Sequence, residues 1–131
     1  MQTPTLTPAE VMRAWFDAFA PVAAAFAAHA AACHNLTAAR AAFDAAEGEL
    51  DAHDNSAAST APENRTASRQ KGDALREVAR AACDKSAAAE RARSVAATEM
   101  REALENADKA VRAALNDAFR ADEAYKRRAR P

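Results

Sequence analysis

The sequence predicts an all-α fold, a long antiparallel helical hairpin of the coiled-coil type. Alanine, the best helix former, supplies 42 of the 131 residues. Glycine occurs only twice, the prolines are confined to a few places, and nothing in the pattern indicates a strand. Large side chains, and polar ones that interrupt the alanine-rich runs, also recur three and four residues apart through the first fifty positions. This spacing is typical of helices that supercoil around partners.

The most informative stretch is 18–39, which contains no Asp, Glu, Lys or Arg in a chain that is 28% charged. A helix that is apolar around its whole circumference has to be covered on all sides by other helices or by lipid. The stretch is long enough to cross a membrane, but alanine gains little from insertion, and proline, histidine and asparagine within it oppose insertion. We therefore expect other helices to cover it.

The chain divides into four segments of one helical domain. Residues 1–6 are expected to form an extended arm, 8–52 an apolar inner helix, 53–62 a loop, and 63–128 a long charged outer helix. Thr7 and Glu10 form a capping box at the start of the first helix, with Leu6 and Val11 as a hydrophobic staple.

Two further features concern helix ends. Pro21 predicts a kink or a break near Phe19, so the hairpin has two helices, or three if the first one is broken. Thr60 and Glu63 offer a second capping box, with Pro62 in the first turn of the second long helix.

The heptad stripe of the first helix identifies its expected contact face. It consists of larger or polar-interrupting residues at alternating spacings of three and four: Met12, Trp15, Phe19, Val22, Phe26, His29, Cys33, Leu36, Arg40, Phe43, Glu47 and Leu50. If the chain folds back near residue 58, residues whose numbers sum to roughly 117 lie level. That register places Cys33 near Cys83 and leaves 106–131 beyond the end of the first helix.

Because both the stripe and this overhang are apolar, we expect subunit contacts from both helices. The predicted interface residues are Trp15, Phe19, Val22, Phe26, Cys33, Leu36, Phe43, Val111, Leu115, Phe119 and Tyr125.

Charge separates the two halves of a chain whose net charge is −1. The first 61 residues hold two basic and seven acidic side chains, and the remainder holds sixteen basic and twelve acidic ones. The halves attract each other, but neither excess is large enough to predict nucleic-acid binding. The basic run 126–130 is explained by favourable interaction with the helix dipole.

One cluster has possible site chemistry. His29 and Cys33 are four residues apart on one helix face, and Cys83 lies opposite in the predicted register, which permits a zinc site or a disulfide. His34 points about 100° away from Cys33, which weakens a site with four ligands. The favoured interpretation is that alanine-rich seams accept cysteine as a small apolar residue, so no metal or cofactor is expected.

The sequence therefore predicts a non-enzymatic structural or assembly protein. It contains no glycine-rich phosphate loop and no nucleophile with a plausible base, so neither an enzyme nor a small-molecule substrate is expected. The partners expected are further copies or other subunits of a large assembly, and the Met1 start, the alanine excess and the Arg-over-Lys bias favour a phage virion or a comparable particle. The expected location is the virion or the bacterial cytoplasm, without a signal peptide. A thiol- or metal-based sensor and an amphipathic coat of a granule or membrane surface are the alternatives.

Overall fold

The computed structural model describes residues 7–129 and confirms an all-α hairpin of two long antiparallel helices. Helix α1 spans Pro8–Ala57, a 3₁₀ turn spans Pro62–Asn64, and helix α2 spans Arg65–Ala129. The extended arm predicted for 1–6 lies outside the described residues.

The start of α1 is fixed by the predicted capping box. The backbone N–H of Thr7 donates to Oε2 of Glu10 at 2.8 Å, and the N–H of Glu10 donates to Oγ1 of Thr7 at 3.2 Å. Two backbone donors that the first helical turn leaves without a partner are thereby satisfied. The other half of the predicted staple, Leu6, lies outside the described residues.

Pro21 does not break the first helix. α1 is continuous from Pro8 to Ala57 with Pro21 inside it, so the chain forms two long helices and not three. A proline inside a helix removes one backbone hydrogen bond and crowds the preceding turn. Packing of the neighbouring residues Ala18 and Val22, which are half-buried and buried, holds the helix on both sides of the proline.

The connection between the helices is shorter than predicted, because α1 continues through His53 to Ala57. His53 Nε2 lies 2.9 Å from the carbonyl oxygen of Ser68, and Ser56 Oγ donates to the His53 carbonyl at 2.9 Å. The predicted capping box of Thr60 and Glu63 is absent: the 3₁₀ turn has no side-chain cap, and Thr60 Oγ1 donates to the Ser56 carbonyl instead. Pro62 begins the 3₁₀ turn, as its fixed φ favours.

The hairpin divides into two compact units. The terminal unit combines 7–29 of α1 with 96–129 of α2, and the turn unit comprises Ala30–Val95. In the turn unit the helices meet along a seam with heptad spacing, in which the most deeply buried residues are Leu36, Ala39, Ala46, Gly72 and Ala79.

The terminal unit has a seam of the same kind. Val22, Ala96 and Ala107 are buried there, and on α1 the half-buried seam positions are Val11, Ala18, Ala25 and His29. On α2 the seam follows Met100, Ala103, Ala107, Val111, Ala114 and Ala118. The two consecutive four-residue steps from 103 to 111 are a stutter, which locally unwinds a coiled coil.

The seam of α1 shares every second residue with the predicted stripe, and each of its other residues lies one position earlier in the sequence. The prediction used residues 19, 26, 33, 40 and 47, whereas the structure packs alanines at 18, 25, 32, 39 and 46 against α2. Both sets alternate with 22, 29, 36, 43 and 50 at spacings of three and four, so periodicity alone does not separate them. Small residues let two helix backbones approach closely, and α2 also offers mainly alanine, so the alanine face is the one that packs.

The register within the turn unit also differs from the prediction. The His53 ring lies against Gly72, and Arg40 Nη2 is 3.5 Å from Glu90 Oε1. Residues that face each other therefore have numbers summing to roughly 125–130 rather than 117. The shift follows from the longer α1 and from the 3₁₀ turn, which move the fold-back point toward residue 62. Cys33 and Cys83 are consequently displaced along the helices by roughly two turns or more.

Substitution of Gly72 tests this contact. Cβ of alanine at this position would lie 2.8 Å from His53 Cε1, and the ring cannot withdraw without losing its bond to Ser68. We expect Gly72→Ala to lower the free energy of unfolding by about 1 kcal/mol, because overpacking of about 1–3 kcal/mol exceeds the gain of about 1 kcal/mol in helix propensity. Urea denaturation measures this difference.

Gly48→Ala is the matched control, because nothing lies within 4 Å of its added Cβ. This change should stabilise the protein by about 1 kcal/mol. Equal stabilisation by the two substitutions would contradict the close approach of His53 to Gly72.

Candidate association surface

The aromatic side chains are concentrated in the terminal unit and face outward. The sequence has seven of them, all within 7–129, and six are exposed: Trp15, Phe16, Phe19, Phe26, Phe119 and Tyr125. Phe26 is 49% exposed and Phe119 is 65% exposed. Phe43, in the turn unit, is half-buried. Exposed large apolar groups that cluster in this way mark interaction sites more often than isolated ones do.

These groups share one edge of the terminal unit. On α1, Met12, Phe19 and Phe26 each follow a seam alanine or valine by one position, and Phe16 lies one turn from two of them. On α2, Leu104, Leu115 and Phe119 likewise follow seam residues by one position. In an antiparallel helix pair, the positions that follow the seam on both helices lie on the same side. We call this set of seven residues the aromatic edge.

The opposite edge of the terminal unit is small and polar. A shallow groove of about 400 Å³ there is lined by Pro21, three alanines of α2, and the polar side chains of Glu99, Glu102 and Asn106, together with Ala18 of the seam. Carboxylates and an amide border this groove and its other lining residues are alanine and proline, so it lacks the large apolar side chains of the aromatic edge. The two sides of the terminal unit are therefore chemically distinct.

Trp15 connects the aromatic edge to the seam. The centroid of its ring lies 4.7 Å from the ring centroid of Phe19 in a tilted arrangement and 5.9 Å from that of Phe16 in an edge-to-face arrangement. Both distances are within the usual range for aromatic pairs. Trp15 also lines an apolar cleft of about 90 Å³ with Val11, Val111, Ala114 and Leu115. The predicted overhang from residue 106 is therefore wrong, since Val111 and Leu115 lie beside α1.

The predicted interface residues fall into three groups in the structure. Val22 and Leu36 are buried between α1 and α2, so they belong to the fold of the chain and cannot meet a partner. The half-buried members are Cys33, Phe43 and Val111, and the exposed members are Trp15, Phe19, Phe26, Leu115, Phe119 and Tyr125. Met12, Phe16 and Leu104 join the aromatic edge although they are absent from the predicted set. All three are large apolar residues next to seam positions, and this was the sequence signal that could have identified them as members of the edge.

The cysteine and histidine cluster does not assemble. Within 7–129, no group of three His, Cys, Asp or Glu side chains is arranged to hold a metal ion, and Cys33 and Cys83 form no disulfide. Cys83 is exposed, Cys33 is half-buried, and the register separates them. His29 lies in the seam, whereas His34 is exposed.

The basic run at the end of α2 is partly engaged within its own helix. Lys126 Nζ is 3.2 Å from Asp122 Oδ2 and 4.0 Å from Glu123 Oε1. The hydrogen bond and charge of Asp122, with the charge of Glu123, raise the pKa of Lys126. Arg127 and Arg128 occupy the last turn, where cations interact favourably with the helix dipole. Arg130 lies outside the described residues.

By length and composition α1 could cross a membrane, and only 6% of its most apolar window is buried within the chain. Comparison with protein-family models, with curated proteins and with solved structures finds no match to this chain. The surface chemistry of the two helices is therefore the basis for inferring function.

Proposed function

We propose that this protein is a non-enzymatic structural or assembly subunit that associates through the aromatic edge of its terminal unit. The observation that supports this proposal is the placement of seven large apolar side chains on one side of a pair of helices. All seven are more than one-third exposed in the single chain, from 37% for Phe19 to 65% for Phe119. Burial of such side chains against a partner is worth about 1.5–3 kcal/mol each.

The composition indicates the setting. The chain combines 42 alanines with four lysines and fourteen arginines, a bias typical of proteins encoded by GC-rich bacterial or phage genomes. A chain that presents an exposed apolar edge suits a repeated component of an assembly. We therefore place it in a phage virion or a comparable particle.

The mass of the native protein in solution tests association directly. We expect light scattering across a dilution series to give a mass that is a multiple of 13.9 kDa. This mass should fall toward that of one chain only at the lowest concentrations. A monomer at every concentration would contradict the proposal, because the aromatic edge would then remain in water.

A coat on a lipid surface is the second candidate, and the exposed apolar surface of α1 favours it. An amphipathic helix that lies on lipid buries its apolar face in the headgroup region. Flotation with vesicles of neutral and anionic lipids separates the two functions. Comigration of monomeric protein with vesicles would support the coat, and protein that stays in solution as an oligomer would support the subunit.

A further inference from the structure

We infer that the occupant of the aromatic edge is the same edge of a second copy, with the two α1 helices facing each other and the α2 helices outside. This inference rests on the proposed function and specifies its partner and contact face. Three properties of the edge lead to it: its charge, the order of its side-chain sizes, and the area that the chain exposes.

The charge distribution places α1 at the centre of the contact. From residue 18 to residue 29, α1 has no charged side chain, so this part of the edge offers nothing to a charged partner. The α2 side of the edge carries Asp108 and Arg112, which form an exposed ion pair at 3.1 Å. Contact centres are depleted of charge and their rims are polar, so α2 lies at the rim.

The order of side-chain sizes makes the α1 edge complementary to itself. Phe19 and Phe26 are seven residues apart, and the exposed alanines 20, 23 and 27 lie beside and between them. A seven-residue repeat of large groups with small groups between them provides the knobs and the holes of a coiled-coil contact. A two-fold pair brings the same patch of both copies together, so the phenylalanines of one copy can enter the alanine gaps of the other.

The exposed area is sufficient for a stable pair. The chain exposes 10025 Å², whereas a compact monomer of 13.9 kDa exposes about 6,700 Å² by the scaling of surface with mass. The excess of about 3,300 Å² in each chain is larger than the roughly 1,000–2,500 Å² that each copy of an obligate homodimer buries. A small peptide or a single side chain would leave most of that surface in water.

Cysteine cross-linking at Ala23 tests the contact. Ala23 lies midway between Phe19 and Phe26, so it faces its own equivalent in a two-fold pair. In a background of Cys33→Ser and Cys83→Ser, we expect Ala23→Cys to form a disulfide-linked dimer within minutes of adding a mild oxidant. The product should have twice the chain mass in denaturing conditions without reductant and return to monomer with dithiothreitol.

Ala24→Cys in the same background is the matched control, because residue 24 is equally exposed but points away from both the edge and α2. We expect its cross-linking rate to be at least tenfold lower. Circular dichroism of both variants verifies that the helices are retained.

Three outcomes would overturn the inference. Equal rates at 23 and 24 would mean that cross-linking follows random collision. An oligomer by light scattering without linkage at 23 would leave the proposed function intact but place the contact on another surface. A monomer by light scattering would contradict the proposed function itself.

Discussion

Phe26→Asp is expected to convert the associated protein into a helical monomer. Phe26 lies on the charge-free α1 part of the aromatic edge, and a carboxylate buried there in a contact would have no cationic partner. Because Phe26 is 49% exposed in the single chain, the substitution leaves the seam between α1 and α2 unchanged. Light scattering should give 13.9 kDa, and circular dichroism should show undiminished helix content.

Ala24→Asp is the control for this substitution. Residue 24 lies two positions before Phe26 and is exposed on the far side of α1. A pair that joins through the edge should tolerate a charge there with association unchanged. Loss of association in both variants would indicate that partners surround α1 on all sides, as the charge-free stretch alone suggests. Association that survives Phe26→Asp would exclude the aromatic edge as the contact.

Leu36→Ala, in contrast to Phe26→Asp, is expected to lower the stability of the hairpin itself. Leu36 is 4% exposed and is the largest of the most deeply buried residues of the described seam. Removing its side chain leaves a cavity between the helices and should reduce the free energy of unfolding by roughly 3 kcal/mol. Urea denaturation at a single protein concentration measures the loss.

Val78→Ala provides the comparison within the same unit, because Val78 is 55% exposed. A surface substitution of this kind usually changes stability by no more than about 0.5 kcal/mol. Similar losses for Leu36→Ala and Val78→Ala would contradict the placement of the seam.

The sequence was sufficient for features that depend on local chemistry. The helical class and the start of α1 at Thr7 and Glu10 follow from alanine content and capping chemistry. These features depend on residues within a few positions of one another, so no knowledge of the packing is needed to predict them.

Features that depend on the match between two helices could not be predicted in the same way. The heptad stripe placed Phe19 and Phe26 on the contact face of α1, yet alanines one position earlier pack against α2. The register between α1 and α2 depends on where the chain folds back. The contact of His53 with Ser68 and Gly72 places the fold-back point later in the sequence than predicted. Phe26 and Phe119 are exposed in the single chain, because the alanine seam excludes these large side chains, and their role in an interface stays a prediction.

The difference between the two sides of the terminal unit would also limit any assembly that proceeds through the aromatic edge. If two copies join through their aromatic edges, both edges are covered, and the terminal units keep the groove bordered by Glu99 and Asn106 exposed, so a third copy finds no free aromatic edge. Such a dimer is closed, and it cannot grow into a fibre by repeating that contact. A shell or tube made from this protein would therefore be built from preformed dimers, joined through a second and chemically different junction.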